Sequence, residues 1–141
     1  MANLVSQIHP LDSEDDIAIG LGFPLSSDKT SFFKLNYTTK EQASTNLRML
    51  LLTIPGERVM RPNYGTEIRR ILFEPDSSDL VLNVGNEIEE KVEFWLPNIT
   101  IKNVNLEKDS DKHIIYISIK YALVYNIEDE EDIVIELDNI I

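Results

Sequence analysis

The stretch HIIYISIKYALVY, residues 113–125, carries the pattern that decides the fold. Side chains of a strand point alternately to opposite faces, so a period of two predicts a strand that is buried on one side. The side chains predicted to be buried are Ile115, Ile117, Ile119, Tyr121 and Leu123. The opposite face carries Tyr116, Ser118 and Lys120, so we expect it to be hydrated.

Two further strands are predicted, one on each side of this stretch. Upstream, NITIKNVNL at residues 98–106 changes its apolar phase between Ile101 and Val104, which indicates a β-bulge. Downstream, a final strand begins at residue 133 after an acidic run at residues 128–132, which we interpret as a solvated turn. Three strands with short connections predict a small antiparallel sheet.

Helical patterns precede the strands. Residues 38–54 open with the spacing of a capping box, either Thr38 with Glu41 or Thr39 with Gln42. The helix must stop at the Pro-Gly pair that follows it. Its predicted buried face consists of Ala43, Leu47, Leu50, Leu51 and Ile54.

Two more helices are predicted before the sheet. A short helix starts at Thr66 as N-cap, buries Ile68, Ile71 and Leu72, and ends before Pro75. A longer helix covers residues 78–96, because apolar residues recur there at intervals of three and four. That apolar set is Leu80, Val81, Val84, Ile88, Val92 and Trp95.

The first residues form a separate zone. Residues 1–36 contain two short apolar stretches, which predict a loose hairpin or an extended arm. We therefore expect an α+β fold, with about three helices packed on a small antiparallel sheet and an N-terminal extended arm. The predicted organisation is an arm at residues 1–36 and one domain at residues 37–141.

Composition excludes several classes of function. The 141 residues carry a net charge of −12, with a pI near 4.5. Binding to nucleic acid or to an anionic membrane needs a broad basic face. The chain has 13 basic residues against 25 acidic ones, which do not provide such a face. Because no run of about 18 apolar residues occurs, no membrane-spanning helix is expected. With no cysteine, the fold depends on packing and has no thiolate metal site.

No cofactor or catalytic metal site is predicted. His9 and His113 lie far apart in sequence and have no partner at metal-ligand spacing. The glycines form neither a dinucleotide-binding nor a P-loop motif. The acidic run at residues 128–132 lacks the glycine and the alternate spacing of a calcium-binding EF-hand loop.

Against this acidic background, one segment is rich in arginine. ERVMRPNYGTEIRR, residues 57–70, holds four of the five arginines of the chain, Arg58, Arg61, Arg69 and Arg70. Pro62 fixes φ and Gly65 permits a positive φ, so the loop is predicted to have a defined shape. Guanidinium groups on such a loop suit bidentate recognition of carboxylates or carbonyls of a neighbour. Equally, they could pair with local carboxylates and hold the helices together.

The sequence LLLTIPGERVMRPNYGTEIRRILFEP, residues 50–75, resembles the signature of the gene-25-like baseplate wedge family of contractile-tailed phages. These proteins are also called sheath initiators and are grouped with the GPW-like tail proteins. The matching elements are a leucine-rich helix, Gly-Glu-Arg, Arg-Pro-Asn-Tyr-Gly and Leu-Phe-Glu, in that order. The resemblance extends over about residues 37–137.

This resemblance implies a structural protein of the tail baseplate in the virion, assembled in the host cytoplasm. Its partners would be other baseplate wedge proteins and the tail sheath, near the tail tube. Bacterial contractile injection systems contain equivalent components, which is the alternative machine. Many relatives have Glu-Pro-Arg after the long helix where this chain has Leu96, Pro97 and Asn98, so only the proline of that contact is retained.

The family has also carried a lysozyme label, so a glycosidase is the third candidate. Such an enzyme needs two carboxyl groups about 5–9.5 Å apart, one of them in an apolar pocket that raises its pKa. Glu57 and Glu74 are the best candidates, but arginines close in sequence would lower the pKa of each carboxyl group. We therefore predict no catalytic residues and no enzymatic activity.

The last strand is the second candidate binding site. Residues 133–137, IVIEL, are rich in β-branched side chains, and a late strand is often an edge strand that can accept a strand from another chain. The alternative is that this strand only completes the sheet of its own domain. The predicted partner-binding residues are Arg58, Arg61, Asn63, Tyr64, Arg69, Arg70, Pro97, Asn98, Ile133, Val134, Ile135, Glu136 and Leu137.

Overall fold

The computed structural model describes residues 9–14, 16–27, 32–75, 77–109 and 111–138. Its strands are β1 (Gly20–Leu21), β2 (Leu35–Asn36), β3 (Ile99–Asp109), β4 (Ile114–Leu123) and β5 (Asn126–Asp138). Its α-helices are α1 (Thr39–Leu52) and α2 (Ser78–Trp95), and 3₁₀ turns cover Pro10–Ser13 and Ile68–Phe73. Helices beside antiparallel sheets confirm the predicted α+β class.

The sheet has the order β3-β4-β5, and both pairs of strands are antiparallel. All five side chains predicted to line the inner face of β4 are buried. On the opposite face only Lys120 is exposed, and Tyr116 and Ser118 are half-buried, so that face is less hydrated than the pattern predicted. The predicted bulge is also present, as a register shift between Ile101 and Asn103. A second shift lies between Ala122 and Leu123, close to the β4–β5 turn.

Helix α1 begins with one of the two predicted caps. The Thr38 hydroxyl accepts a hydrogen bond from the Glu41 amide at 3.2 Å, and the Glu41 carboxylate accepts one from the Tyr37 amide at 3.1 Å. The buried face of α1 includes Ala43, Leu47, Leu50 and Leu51. Ile54 was predicted on this face, but the helix ends before it and its side chain is 38% exposed.

Helix α2 presents one apolar face to the core and contacts β3. Leu80, Val84, Ile88 and Val92 are buried on this face, as the three-and-four spacing predicts. Trp95, at the end of the helix, is half-buried against the same core. None of the helices that the structure describes is both long and apolar enough to cross a bilayer.

The short helix predicted from Thr66 differs in detail. It is a 3₁₀ turn that begins after Glu67 and has no side-chain cap. Thr66 is buried, and its hydroxyl donates to the carbonyl oxygen of Leu51 at 2.9 Å. The N-cap assignment was therefore wrong, because this hydroxyl closes the end of α1 and not the start of the next turn.

The acidic run at residues 128–132 was predicted as a turn and is instead part of β5. It continues the ladder with β4, where Asp132 lies opposite Lys120 and Glu130 opposite Ala122. The turn is at residues 124–125. Exposed charged side chains are compatible with a strand when they lie outside the core, so pairing with β4 overrides the weak strand propensity of Asp and Glu.

The first zone contains a small hairpin that packs on α1. β1 pairs antiparallel with β2, as one of the two predicted forms of the arm requires. Asn36 is buried, and its side-chain amide donates to the Thr45 hydroxyl at 2.9 Å. Asp12 accepts hydrogen bonds from the amide of Thr39 at 2.6 Å and from its hydroxyl at 2.7 Å. The described part of this zone is thus attached to the start of α1.

Candidate partner-binding surfaces

The arginine loop, defined here as residues 54–66, has a backbone that is fixed by its own hydrogen bonds. The amide of Gly56 donates to the carbonyl of Pro62 at 2.7 Å, and the amide of Tyr64 donates to that of Arg61 at 3.1 Å. The loop therefore closes on itself at its base and has the defined shape that its Pro and Gly residues predict.

A close approach to α1 also anchors this loop. Gly65 has φ of +118°, and a Cβ atom there would overlap the carbonyl oxygen of Thr53. The same oxygen accepts a hydrogen bond from the Thr66 amide at 3.0 Å. Only glycine satisfies both the positive φ and the lack of space, so Gly65 sets the position of the loop relative to α1.

Two arginines of the loop lie on aromatic rings. The Arg58 Cζ atom is 4.0 Å from the ring centroid of Tyr64, and the Arg61 Cζ atom is 5.7 Å from that of Trp95. Tyr64 and Trp95 contact each other edge to face, with centroids 5.2 Å apart. The buried Tyr64 ring thus supports Arg58 from below. Burial raises the pKa of Tyr64, and the nearby Arg58 charge opposes that shift.

The other two arginines of the cluster lie on the 3₁₀ turn. Arg70 pairs with Glu67 at 2.7 Å and with Glu74 at 3.1 Å, so it follows the alternative in which arginines pair locally. Arg69 is exposed and forms no ion pair with the residues that the structure describes. The cluster is therefore divided between one locally paired arginine, two stacked arginines and one that extends into solvent.

The corner between α2 and β3 carries two more of the predicted partner-binding residues. Pro97 and Asn98 are both exposed, and the Asn98 carbonyl accepts a hydrogen bond from the Val124 amide at 3.0 Å. Pro97 also borders a groove of about 570 Å³ that Glu89 and Glu93 line from α2. Asn63 is exposed in the arginine loop. The structure therefore places Pro97 and Asn98 just after the helix end that carries Trp95.

The sequence patterns did not identify three exposed apolar residues, two in the arginine loop and one near the end of α2. Val59 and Met60 are 93% and 92% exposed, and Phe94 is 74% exposed. The Phe94 ring contacts Trp95, with centroids 5.0 Å apart. Phe94 lies off the apolar stripe of α2, and this departure from the helical period was the available signal. For Val59 and Met60 the signal was an apolar pair inside a charged loop.

β5 presents a different kind of surface. Within the described residues, β5 pairs with β4 alone, so the predicted edge position is observed. Ile133, Ile135 and Leu137 are buried, which leaves Val134 and Glu136 as the exposed side chains of the predicted site. The groups that β5 can offer to a partner along its free side are therefore main-chain N–H and C=O groups.

The start of β5 is joined to α1 by an ion pair that sequence reasoning missed. Lys40 Nζ lies 2.9 Å from Asp129 and 2.5 Å from Glu131. Hydrogen bonds to Glu131 and, to a smaller extent, to Asp129 raise the pKa of Lys40. Residues 40 and 129 are too far apart in sequence for local spacing to reveal the contact.

The two carboxylates considered for glycosidase chemistry have other contacts. The exposed Glu57 side chain accepts a hydrogen bond from the Ile54 amide at 2.9 Å, and Glu74 accepts one from Arg70. Neither environment is the apolar pocket that a general acid requires. Among the described residues, no group of His, Asp and Glu side chains is arranged to hold a metal ion.

Comparison with known proteins gives one family and several similar folds. Residues 38–126 match the family described as baseplate wedge protein gp25. A Geobacter sulfurreducens protein provisionally named a tail lysozyme is 24% identical, with a TM-score of 0.64 over 72% of this chain and 91% of that one. No curated protein matches the chain significantly.

Two baseplate structures contain chains of similar fold. A chain of the anti-feeding prophage baseplate has 24% identity and a TM-score of 0.56, over 86% of this chain and 85% of that one. A chain of the postcontracted pyocin R2 baseplate has 19% identity and a TM-score of 0.50, over 82% of this chain and 98% of that one. The resemblance of the arginine-loop motif is thus confirmed by a family match over more than half of the sequence, and this chain belongs to the baseplate wedge protein gp25 family.

Proposed function

We propose that this protein is an inner baseplate wedge component of a contractile phage tail and that tail sheath polymerisation starts on it. Membership of the gp25 family supports the baseplate assignment. The fold shared with chains of two baseplates agrees with it. The place of action is then the tail baseplate of the virion, next to the tail tube, after assembly in the host cytoplasm.

The free side of β5 is the observation that carries the sheath-initiating role. β5 is 13 residues long, and its buried side chains fix it to the core while one side of its backbone is unpaired within the described chain. A rigid strand with free main-chain donors and acceptors can receive a strand from another protein, and the main-chain hydrogen bonds then supply affinity. We place the sheath strand at residues 133–137.

The charge of β5 supplies selectivity for this strand. Glu128, Glu130 and Asp132 are exposed, as are Glu136 and Asp138 further along β5. A second copy of the same acidic strand would be repelled, whereas a strand that carries Lys or Arg would be attracted. The partner strand is therefore a basic segment of the sheath protein.

The other edge of the sheet is less suited to this role. β3 also pairs with β4 alone within the described residues, but a bulge interrupts it between Ile101 and Asn103. Bulges and edge lysines are devices that prevent strand addition, and Lys102 lies at this bulge. β5 also has an irregularity near its start, but from residue 130 to residue 138 it pairs with β4 without a register shift, so its proposed docking segment is regular.

The remaining predicted residues are assigned to contacts with other wedge proteins. The exposed members are Arg58, Arg61, Asn63, Arg69, Arg70, Pro97 and Asn98, and Tyr64 lies beneath Arg58. In this proposal the domain at residues 37–141 carries both surfaces, and the arm at residues 1–36 is attached at the start of α1. The domain has no enzymatic role.

A bacterial contractile injection system is the alternative machine. It is favoured by the fold shared with chains of the anti-feeding prophage and pyocin R2 baseplates. The same strand addition would operate there. Electron microscopy of particles from the source, with identification of this chain by mass spectrometry, distinguishes a phage with a DNA-filled head from a headless particle.

Hydrogen exchange tests the role of β5 directly. In an isolated edge strand, alternate amides point to the neighbouring strand and are protected, while the others face solvent and exchange rapidly. We expect the rapidly exchanging amides of residues 133–137 to become protected in sheathed tails. Amides of β4 that bond to β5 provide the internal control, because they are protected in both states. Unchanged exchange along β5 in sheathed tails would exclude strand addition at this edge.

A further inference from the structure

The tip of the arginine loop, defined as Arg58, Val59, Met60 and Arg61, combines apolar exposure with positive charge. Val59 and Met60 are 93% and 92% exposed. Two neighbouring apolar side chains that project into water at the end of a loop add little to the packing of the part of the chain that is described. An exposed apolar group rimmed by polar residues is typical of a surface that is covered in a complex.

This tip is held in shape before any partner binds. The Arg61 amide donates to the Arg58 carbonyl at 3.3 Å, which makes the tip a tight turn, and the Gly56–Pro62 hydrogen bond closes its base. Gly65 attaches the whole loop to the end of α1. A turn that is already ordered loses little conformational entropy on binding, so its apolar contacts contribute fully to affinity.

Aromatic rings support the tip from below. Arg58 lies over Tyr64, Arg61 lies near Trp95, and the exposed Phe94 ring packs against Trp95. A guanidinium that stacks on a ring keeps its N–H groups free at its edges for a carboxylate. Arginine, tyrosine and tryptophan are also the residues that most often dominate the binding energy of interfaces.

The charges around the tip indicate the chemistry of the partner. Neither Arg58 nor Arg61 forms an ion pair with a carboxylate in the part of the chain that is described, although the chain has 25 acidic residues. Arg70, nine residues after Arg61, pairs with two glutamates. The two stacked arginines are therefore available for carboxylates of another protein. A second copy is disfavoured because each copy carries a net charge of −12.

We infer that the tip inserts Val59 and Met60 into an apolar pocket of a different protein. Carboxylates at the rim of this pocket pair with Arg58 and Arg61. The Phe94 ring contacts the partner at the edge of the interface. This inference rests on the proposed function only in locating the partner among the neighbouring baseplate proteins. The apolar insertion gives affinity, and the two charge pairs give orientation.

Photo-crosslinking in intact particles tests the occupant. The probe is p-benzoylphenylalanine in place of Met60, with the same probe in place of Glu90 on the exposed side of α2 as the position control. We expect the Met60 probe to cross-link to one segment of another baseplate protein that contains apolar residues together with Asp or Glu. Cross-links to a second copy of this chain, to nucleic acid, or to no protein at all would overturn the inference.

A variant pair tests the energetics. We expect Val59→Ser with Met60→Ser to lower incorporation of this chain into purified tails about tenfold, since loss of a central apolar contact has at least this effect on affinity. Leu25→Ser is the matched control, because Leu25 is also an exposed apolar side chain, at 62%, and lies outside both proposed binding surfaces. The melting temperature of each isolated variant should equal that of the parent chain. Unchanged incorporation of the double variant would contradict the inference.

Failure of this inference and failure of the proposed function are distinguishable. If the parent chain is absent from purified tail baseplates, the proposed function is wrong. If the parent chain is present but the Met60 probe gives no link to another protein, the assignment of the tip alone is wrong.

Charge reversal offers a rescue experiment. Arg58→Glu should reduce incorporation of this chain. Replacing an Asp or Glu in the cross-linked segment of the partner by lysine should restore incorporation.

Discussion

In the arginine loop the groups that reach solvent are side chains, whereas along β5 the groups that can bind a partner are main-chain amides and carbonyls. The shape of the loop depends on its own turn hydrogen bonds, on Gly65 and on stacked rings. β5 is regular, and alternate side chains fix it to the core. One surface can therefore be changed by side-chain substitution, and the other only by changes to its backbone.

The first way to test this comparison is to remove a buried side chain of β5. Ile135 is 1% exposed, so Ile135→Ala should destabilise the protein by about 3 kcal/mol through lost burial and the resulting cavity. Val134, its exposed neighbour, should tolerate alanine with a loss below about 1 kcal/mol. Urea unfolding of both variants measures the difference. Equal losses would show that β5 does not alternate between core and solvent.

The second test addresses the backbone of the arginine loop. Gly65→Ala combines strain at positive φ with overlap against Thr53, so we expect a loss of about 2–3 kcal/mol. Gly56 also has a positive φ, of +98°, but a Cβ there would meet no atom within 4 Å. Gly56→Ala should therefore show the strain alone, at about 1 kcal/mol. Thermal unfolding of the two variants separates the conformational term from the steric term, and equal values would contradict the close approach to α1.

These two regions also differ in how far the sequence predicted them. The period of two in β4 and the capping box of α1 are local patterns, and both were confirmed. The bulge near Ile101 was visible as a change of apolar phase for the same reason. Position along the chain was sufficient to suggest that β5 is an edge, because a late strand often has one neighbour.

The misses depend on contacts between distant segments. Thr66 has the sequence context of an N-cap, but its hydroxyl bonds Leu51, 15 residues earlier. The acidic run looks like a turn, yet pairing with β4 makes it a strand. The rings beneath Arg58 and Arg61 come from two elements, so no local spacing could reveal the stacking. The arginine cluster was thus visible in the sequence, but the contacts of its side chains were not.

The third test concerns the stacked arginines. At 4.0 Å from the Tyr64 ring, Arg58 should contribute about 0.5–1 kcal/mol at this exposed site, and Arg61, at 5.7 Å from Trp95, should contribute less. Arg58→Ala should therefore lower the stability slightly, and Arg58→Lys should lower it less. Arg69→Ala is the control and should change nothing. A loss of several kcal/mol for Arg58→Ala would favour a mainly structural role for this arginine and weaken the case for partner binding.

The smallest expected effect belongs to Lys40, which connects α1 to the acidic start of β5. Its contacts with Asp129 and Glu131 are exposed, so Lys40→Met should destabilise the protein by less than about 1 kcal/mol. Because folding raises the pKa of Lys40, the stability that its ion pairs contribute is complete below the ordinary lysine pKa of about 10.4. This stability declines as pH rises above that value. The difference in melting temperature between the parent chain and Lys40→Met should be constant from about pH 7 to pH 9, and should shrink above that range. Arginine stays charged at higher pH, so the melting temperature of Lys40→Arg should remain above that of Lys40→Met there.

High salt should reduce the difference in melting temperature between the parent chain and Lys40→Met at neutral pH, because exposed pairs are screened. If the difference is independent of both pH and salt, Lys40 supports β5 through packing of its aliphatic chain, and β5 is then fixed by its core side chains without electrostatic help from α1.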